Sequence, residues 1–293
     1  MNKNFLAIFG LLFGALAWGV IWYPYRLMAE AGVSGVASSF YTYLIATTLG
    51  AIIFAKHWRG LFRQPISIIW LGLAAGWANM SYVIAVIDGE VMRIMLLFYL
   101  SPLWTLLLAR FWLKEPITKA GLISIGIALI GAYIMLAGPF SKVANHWPMP
   151  QNNSEWLALT SGMAFAFSNV ITRKSSHLTI RAKSFAVWIG VVSASLMLSP
   201  FLGDNFPSPS FFSLNNWLAM GLIAVFLFAA TILVQYGVTQ LTAIRASVLF
   251  LFELVVAAIA SYYLAHEVMS LNEWIGGSLI IAAALTAAFN HKD

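Results

Sequence analysis

Glu253 is the residue whose setting most demands a chemical reason. It stands in the run VLFLFELVVAAIA, apolar from Val248 to Phe252 on one side and from Leu254 to Ala260 on the other. An ionised side chain in the middle of such a run costs about 3 kcal/mol or more unless it is paired or hydrated. Two readings follow. Glu253 is either a cavity-facing carboxylate that binds an ammonium group or a coupling proton, or a protonated side chain hydrogen-bonded to a neighbouring helix for packing. Asn79, Asn169 and Gln235 also lie inside apolar runs, where an amide needs a partner. Trp18 and Trp22 are spaced i, i+4, on one face of a helix. Trp77, Tyr82 and Tyr99 are likewise interior to apolar runs. Together these residues could line a pocket with aromatic walls and few polar groups, suited to an amphipathic organic solute. Such walls also offer cation–π contact to an amine. For any aromatic taken singly, helix packing is the competing reading.

A second group marks the ends of apolar runs. Arg93 and Arg245 each open one, and Glu115 and Glu267 each close one. A cation at a helix N-terminus opposes the helix dipole. The two arginines therefore either bind a carboxylate or pair across a gate, or they snorkel to an interface. The two glutamates either lock to loop cations in one conformation or accept hydrogen bonds from backbone at a helix start. Pro102, which lacks a backbone donor, is placed to bend its helix and so to serve a gate. The sequence has no cysteine, which removes disulfides and thiolate metal sites. It also has no paired-aspartate motif, HEXXH motif or Gly-rich nucleotide loop. No enzyme activity, metal or cofactor is expected.

The elements that must hold these residues are membrane helices. Hydrophobic residues make up 61% of the 293 and charged residues 9%, against roughly 25% charged in soluble domains. The mean hydropathy is +0.86. Runs of about 20 apolar residues, the length that crosses a ~30 Å hydrocarbon layer as a helix, recur from end to end. They lack the alternation of a membrane barrel. The spans are Asn4–Tyr23, Val33–Ala55, Ile66–Ile87, Val91–Trp112, Thr118–Gly138, Glu155–Arg173, Lys183–Phe201, Asn215–Val238, Ile244–Ala265 and Leu271–Asn290. The first is read as a retained span and not a leader, since it is longer than a signal-peptide core and more spans follow.

The formal net charge of +6 is distributed as a topology signal, which argues against a nucleic-acid partner. With the N-terminus in the cytoplasm, thirteen of the sixteen Lys and Arg fall on the cytoplasmic side. The exceptions are Arg26, Arg93 and Lys142. Both termini are then cytoplasmic. The segment VMRIMLLFYLSPLWTLLLARFWLKEP also repeats as AIRASVLFLFELVVAAIASYYLAHEV at an offset of 152. Arg93 matches Arg245, Leu97 matches Leu249, Phe98 matches Phe250 and Glu115 matches Glu267. Five spans per copy is an odd number, so the second copy must be inverted, an arrangement typical of transporters. The expected fold is an all-α membrane protein of ten transmembrane helices in two inverted five-helix repeats. Residues 1–140 form the first repeat, 141–153 a periplasmic linker and 154–293 the second.

Three stretches resemble the EamA-type branch of the drug/metabolite transporter superfamily. AWGVIWYPYRL resembles its Trp-Gly signature followed by a basic residue, here Arg26. LSPLWTLLLARFWLKEPIT resembles its fourth helix, and IRASVLFLFELVVAAIASYYLAHEVMSLNEWIGGSLII its ninth and tenth. The chain departs from the family at Leu254, where proline is common after a glutamate, so span 9 is expected to be straighter than span 4. The resemblance implies export of amino acids or related metabolites across the inner membrane, by alternating access. The partners expected are a small organic solute and the lipid bilayer, with proton coupling and facilitated diffusion as alternatives; the sequence leaves the oligomeric state open, a monomer among the options. The alternatives are another cargo, such as sugar phosphates or drugs, a channel, and a membrane-embedded lipid-modifying enzyme. Phosphorylated cargo calls for Lys or Arg within the spans, and the sequence places its arginines at span ends.

Overall fold

The computed structural model describes residues 3–55, 65–88, 94, 97–136, 150, 152–202, 206, 208–264 and 270–289. Among these all regular structure is helical: α1 (Lys3–Glu30), α2 (Gly35–Ile53), α3 (Pro65–Asp88), α4 (Ser101–Leu108), α5 (Lys119–Leu136), α6 (Asn153–Lys174), α7 (Ile180–Leu202), α8 (Leu214–Gln240), α9 (Ala243–Phe250), α10 (Phe252–Leu264) and α11 (Leu271–Phe289). Six segments are long and apolar enough to cross a membrane: Lys3–Glu30, Gly35–Ile53, Ile66–Ala85, Ile180–Phe201, Leu214–Gln240 and Ala243–Leu264, the last comprising α9 and α10. Lys119–Ile134 and Trp274–Thr286 are apolar but shorter. α6 is not among the six. It carries Ser161, Ser168, Asn169, Thr172, Arg173 and Lys174, and the first four of these are buried.

Helix ends follow local chemistry. Ser34 accepts from the Ala37 N–H at 3.1 Å to start α2. Asn152 accepts from the Glu155 N–H at 2.9 Å and donates to the Glu155 carboxylate at 3.0 Å to start α6, a reciprocal cap. Two expectations fail here. The first helix does not stop at Tyr23, because α1 runs through Pro24 to Glu30. Nor is span 9 the straighter rod. In span 4, Leu100 donates to Leu97 and Leu103 to Leu100; in span 9, Leu251 donates to Val248 and Leu254 to Leu251. Both rods thus break into a tight i→i+3 turn, within one residue of the 152 offset. Pro102 sits at the start of α4, where its missing N–H is tolerated. The ninth span makes the same break without a proline. α4 then passes into a π-helical turn, Ala109–Leu113, which Lys114 closes in the left-handed conformation with φ +56°.

Small residues let the helices approach closely, the usual basis of packing where lipid supplies no hydrophobic drive. A Cβ on Gly72 would lie 3.0 Å from the Ala186 carbonyl oxygen, and Gly190 sits against the backbone of Gly72 and Gly76. A Cβ on Gly10 would lie 2.6 Å from the Leu233 carbonyl, and one on Gly237 would lie 2.7 Å from the Ala7 carbonyl. α1 and α8 are therefore antiparallel. α3 and α6 are too, with Ser161 donating to the Ala78 carbonyl at 2.6 Å and Leu71 clustered with Ile171. α5 and α11 meet at Gly131 and Gly276 and at a Ser124–Thr286 hydroxyl pair 2.9 Å apart.

The contacts form a reciprocal pattern. α3 packs on α6 and α7, as α8 packs on α1 and α2; α4 packs on α6, as α10 packs on α1. The outer surface is apolar, with Ile66, Ile69 and Leu73 on one face of α3 and Leu218, Leu222 and Val225 on α8 all more than half exposed. Trp70, Trp156 and Trp274 are also half-exposed or more. Trp188 is fully buried at the centre of one cluster and stacks on Phe228 with centroids 4.7 Å apart.

Candidate functional site

The helices enclose an open cavity of about 840 Å³, counting the open space at its mouth. α1 contributes Trp18, α2 Tyr43, and α3 Ala75, Ala78, Asn79 and Tyr82. α6 contributes Phe165, Ser168 and Asn169, α7 Val187 and Val191, and α8 Thr231, Val234 and Gln235. Phe98, Phe250 and Glu253 complete the lining from the two broken rods. Trp18, Asn79, Tyr82, Asn169, Gln235 and Glu253, named from the sequence, thus share one cavity.

The break in span 9 positions its carboxylate. Glu253 falls in the first turn of α10, where the positive end of the helix dipole favours a negative group. Tyr82 and Tyr99 interact electrostatically with it. Tyr99 lies behind the lining, 3% exposed, and its hydroxyl makes no hydrogen bond of regular geometry. Asn79, one turn before Tyr82 on α3, donates to the Tyr43 hydroxyl at 3.5 Å, and its Oδ1 is buried without a donor.

The aromatic rings form a chain round the cavity. Tyr82 and Phe98 lie 4.9 Å apart between centroids, Phe98 and Phe165 5.6 Å, and Phe165 and Phe250 5.2 Å. Trp22 lies elsewhere, edge-on to Tyr23 at 5.7 Å. Trp77 is 40% exposed on the outer side of α3, with its Nε1 3.3 Å from Thr160 Oγ1. Neither tryptophan lines the cavity.

One end of the cavity rests on a polar network. Gln235 Oε1, at the floor, accepts from Thr172 Oγ1 at 2.9 Å. Below it Lys183 Nζ donates to the Thr172 carbonyl at 3.2 Å and to Thr239 Oγ1. Arg173 Nη1 donates to the Thr239 carbonyl at 2.6 Å, and its Nε pairs with Glu115 Oε1 at 3.1 Å. The other oxygen of Glu115 accepts from the Ala243 N–H at 3.0 Å, the first residue of α9. Glu115 therefore ties the end of span 4 to the end of α6 and the start of α9. Arg245, one turn into α9, is buried at 8% exposure. Arg93 and Glu267 lie outside the described residues.

Sequence reasoning missed Tyr43, Phe98, Phe165 and Thr231 in the lining, and Lys183 and Arg173 beneath it. The 152 offset held part of the signal: Asn79 with Thr231, Tyr82 with Val234, and Phe98 with Phe250 are all lining pairs. Lys183 sits at the expected edge of a span, where burial to 0% exposure has no signature in hydropathy.

The profile of the EamA-like transporter family matches this chain twice, over residues 5–137 and 153–289. An uncharacterized transporter from Archaeoglobus fulgidus is 26% identical over 210 residues, 71% of this chain and 70% of that protein. Protein RarD from Streptomyces exfoliatus is 22% identical over 295 residues, 94% of this chain and 86% of its own length. One solved crystal structure superposes with a TM-score of 0.76 at 16% identity, covering 96% of each chain. That likeness concerns the fold alone.

Proposed function

The chain belongs to the EamA-like transporter family, and from that premise we propose a secondary transporter that moves small amphipathic organic solutes, amino acids or related metabolites among them, outward across the inner membrane by alternating access. The observation that carries the reading is the cavity itself. Its lining mixes six aromatic rings with Asn79, Asn169, Gln235 and Glu253, the composition expected of a site for a solute that is part apolar and part polar.

The reading takes the protein as two inverted five-span halves of residues 1–140 and 154–293, joined by a periplasmic linker, with both termini cytoplasmic. Two facts support this. The family profile matches once in each half, and the helix contacts are reciprocal between them. On this topology Glu115, Arg173, Lys183 and the start of α9 lie at the cytoplasmic end. The Glu115–Arg173 pair and the Glu115–Ala243 bond are then a latch that closes that end and releases when the halves rock apart. Arg245 flanks the latch from α9. In sequence, Arg93 and Glu267 match Arg245 and Glu115 at the 152 offset. The breaks at Pro102 and Leu251 are the bends on which the rods move.

Counterflow in proteoliposomes tests the function. Vesicles preloaded with an unlabelled solute should transiently accumulate the same solute in labelled form, saturably, from a panel of amino acids, amines and small metabolites. A steady unitary conductance in a planar bilayer, with no counterflow for any solute of the panel, would show a channel and overturn the proposal.

A further inference from the structure

We propose that the cavity selects organic monocations, an amine joined to an apolar or aromatic body, over zwitterions and anions of the same shape. The inference rests on the transporter reading and narrows its cargo. Among the described residues that line the cavity, Glu253 carries the one charged side chain, and none is Lys, Arg or His. Of the buried or half-buried cations, Lys183 is held beneath the floor by the Thr172 carbonyl and Thr239 Oγ1, Arg173 is tied to Glu115 and the Thr239 carbonyl, and Arg245 stands in the first turn of α9, outside the lining. A ligand carboxylate would therefore leave water for a site whose described lining offers no cation, next to a group of its own sign. Burying a charge without a counter-charge is strongly unfavourable.

The polar atoms of the lining suit a donor. Asn79 Oδ1 is a buried acceptor without a donor. It sits one helical turn from Tyr82, which interacts with the Glu253 carboxylate. An ammonium group has only donors to offer, which suits a lining whose polar groups include a carboxylate and an amide oxygen without a donor. The ring chain Tyr82–Phe98–Phe165–Phe250 then surrounds the apolar body and presents π-faces to the positive charge.

Phenylethylamine, phenylalanine and 3-phenylpropionate share one ring and chain, and carry respectively the ammonium alone, both charges and the carboxylate alone. Binding of each to the purified full-length protein is measured by calorimetry, and movement of each by counterflow in proteoliposomes. Phenylethylamine is expected to bind and exchange at least about tenfold more tightly than phenylalanine, with no response to phenylpropionate. Glu253→Gln, checked for an unaltered melting profile, should erase the preference; Glu253→Asp, which keeps the charge, should retain it. The wild-type comparison stands without either variant. Equal or tighter binding of phenylalanine, or no binding of any of the three, overturns the inference. Saturable exchange of phenylalanine without an amine preference would do so while leaving the transporter reading intact. Amine-selective binding with no exchange of any solute would sustain the selectivity and sink the transporter.

Discussion

At the scale of the residue, Glu253 and Glu115 are two carboxylates with different duties. Glu253 faces the cavity, at the start of α10. Glu115 spends both oxygens on protein, one on Arg173 and one on the Ala243 N–H. If a proton is coupled, Glu253 is the titratable carboxylate of the lining where it must ride. An imposed pH gradient should then drive accumulation in wild-type vesicles, and Glu253→Gln should abolish that response while leaving exchange at equal pH detectable. An unchanged response to the gradient in the variant would remove protons from Glu253. Glu115→Ala should cost roughly 1–3 kcal/mol, the penalty for stripping a buried donor of its acceptor, seen as a lower thermal midpoint in detergent. It should also raise the accessibility of a cysteine placed at Gln235 to a water-soluble thiol reagent. The native chain has no cysteine to interfere.

At the scale of the element, the informative feature is a helix that breaks in both copies by different means. Span 4 has Pro102 at the break; span 9 has Leu254 at the matching position and breaks at Leu251 regardless. Leu254→Pro removes the N–H that donates to the Leu251 carbonyl and a leucine buried at 2% exposure, so it should cost about 3 kcal/mol or more even though the rod is already broken there. An unchanged thermal midpoint would show that the rod does not need that donor. Gly190→Ala should also destabilise, because its Cβ would press on the Gly72 backbone between α3 and α7. Overpacking of this kind costs typically 1–3 kcal/mol. Hydropathy located the six described segments that are long and apolar enough to cross a membrane, because it reports burial in lipid, and it singled out Glu253 because a charge there is so costly. It did not show the break at Leu251, which no local breaker marks. Nor could it separate Trp18, in the cavity, from Trp22 and Trp77, outside it. All three sit in apolar runs, and only the helix rotation fixed by packing decides which way each faces.

At the scale of the whole molecule, the end of the cavity beside Gln235 is held by contacts between segments distant in sequence, Glu115 with Arg173 and with Ala243. Gly121 lies at the start of α5, and its Cβ would come within 3.2 Å of Ile244 Cγ2 on α9, close enough for a disulfide after modest adjustment. Gly121→Cys combined with Ile244→Cys should, when oxidised, lose most counterflow activity and regain it on reduction. Unimpeded exchange in the cross-linked protein would mean that this end does not open. Reporter fusions at each terminus should both read as cytoplasmic, as the distribution of Lys and Arg requires. The one charge among the described residues of the lining also has an electrical consequence. With Glu253 ionised, a cavity holding a monocation is neutral, whereas an empty one carries a net negative charge. The membrane voltage, worth about 2.3 kcal/mol per elementary charge per 100 mV, then acts on the vacant protein as it resets and hardly at all on the loaded one. Voltage would set how quickly the carrier becomes ready again, leaving the passage of the cargo itself almost indifferent to the potential.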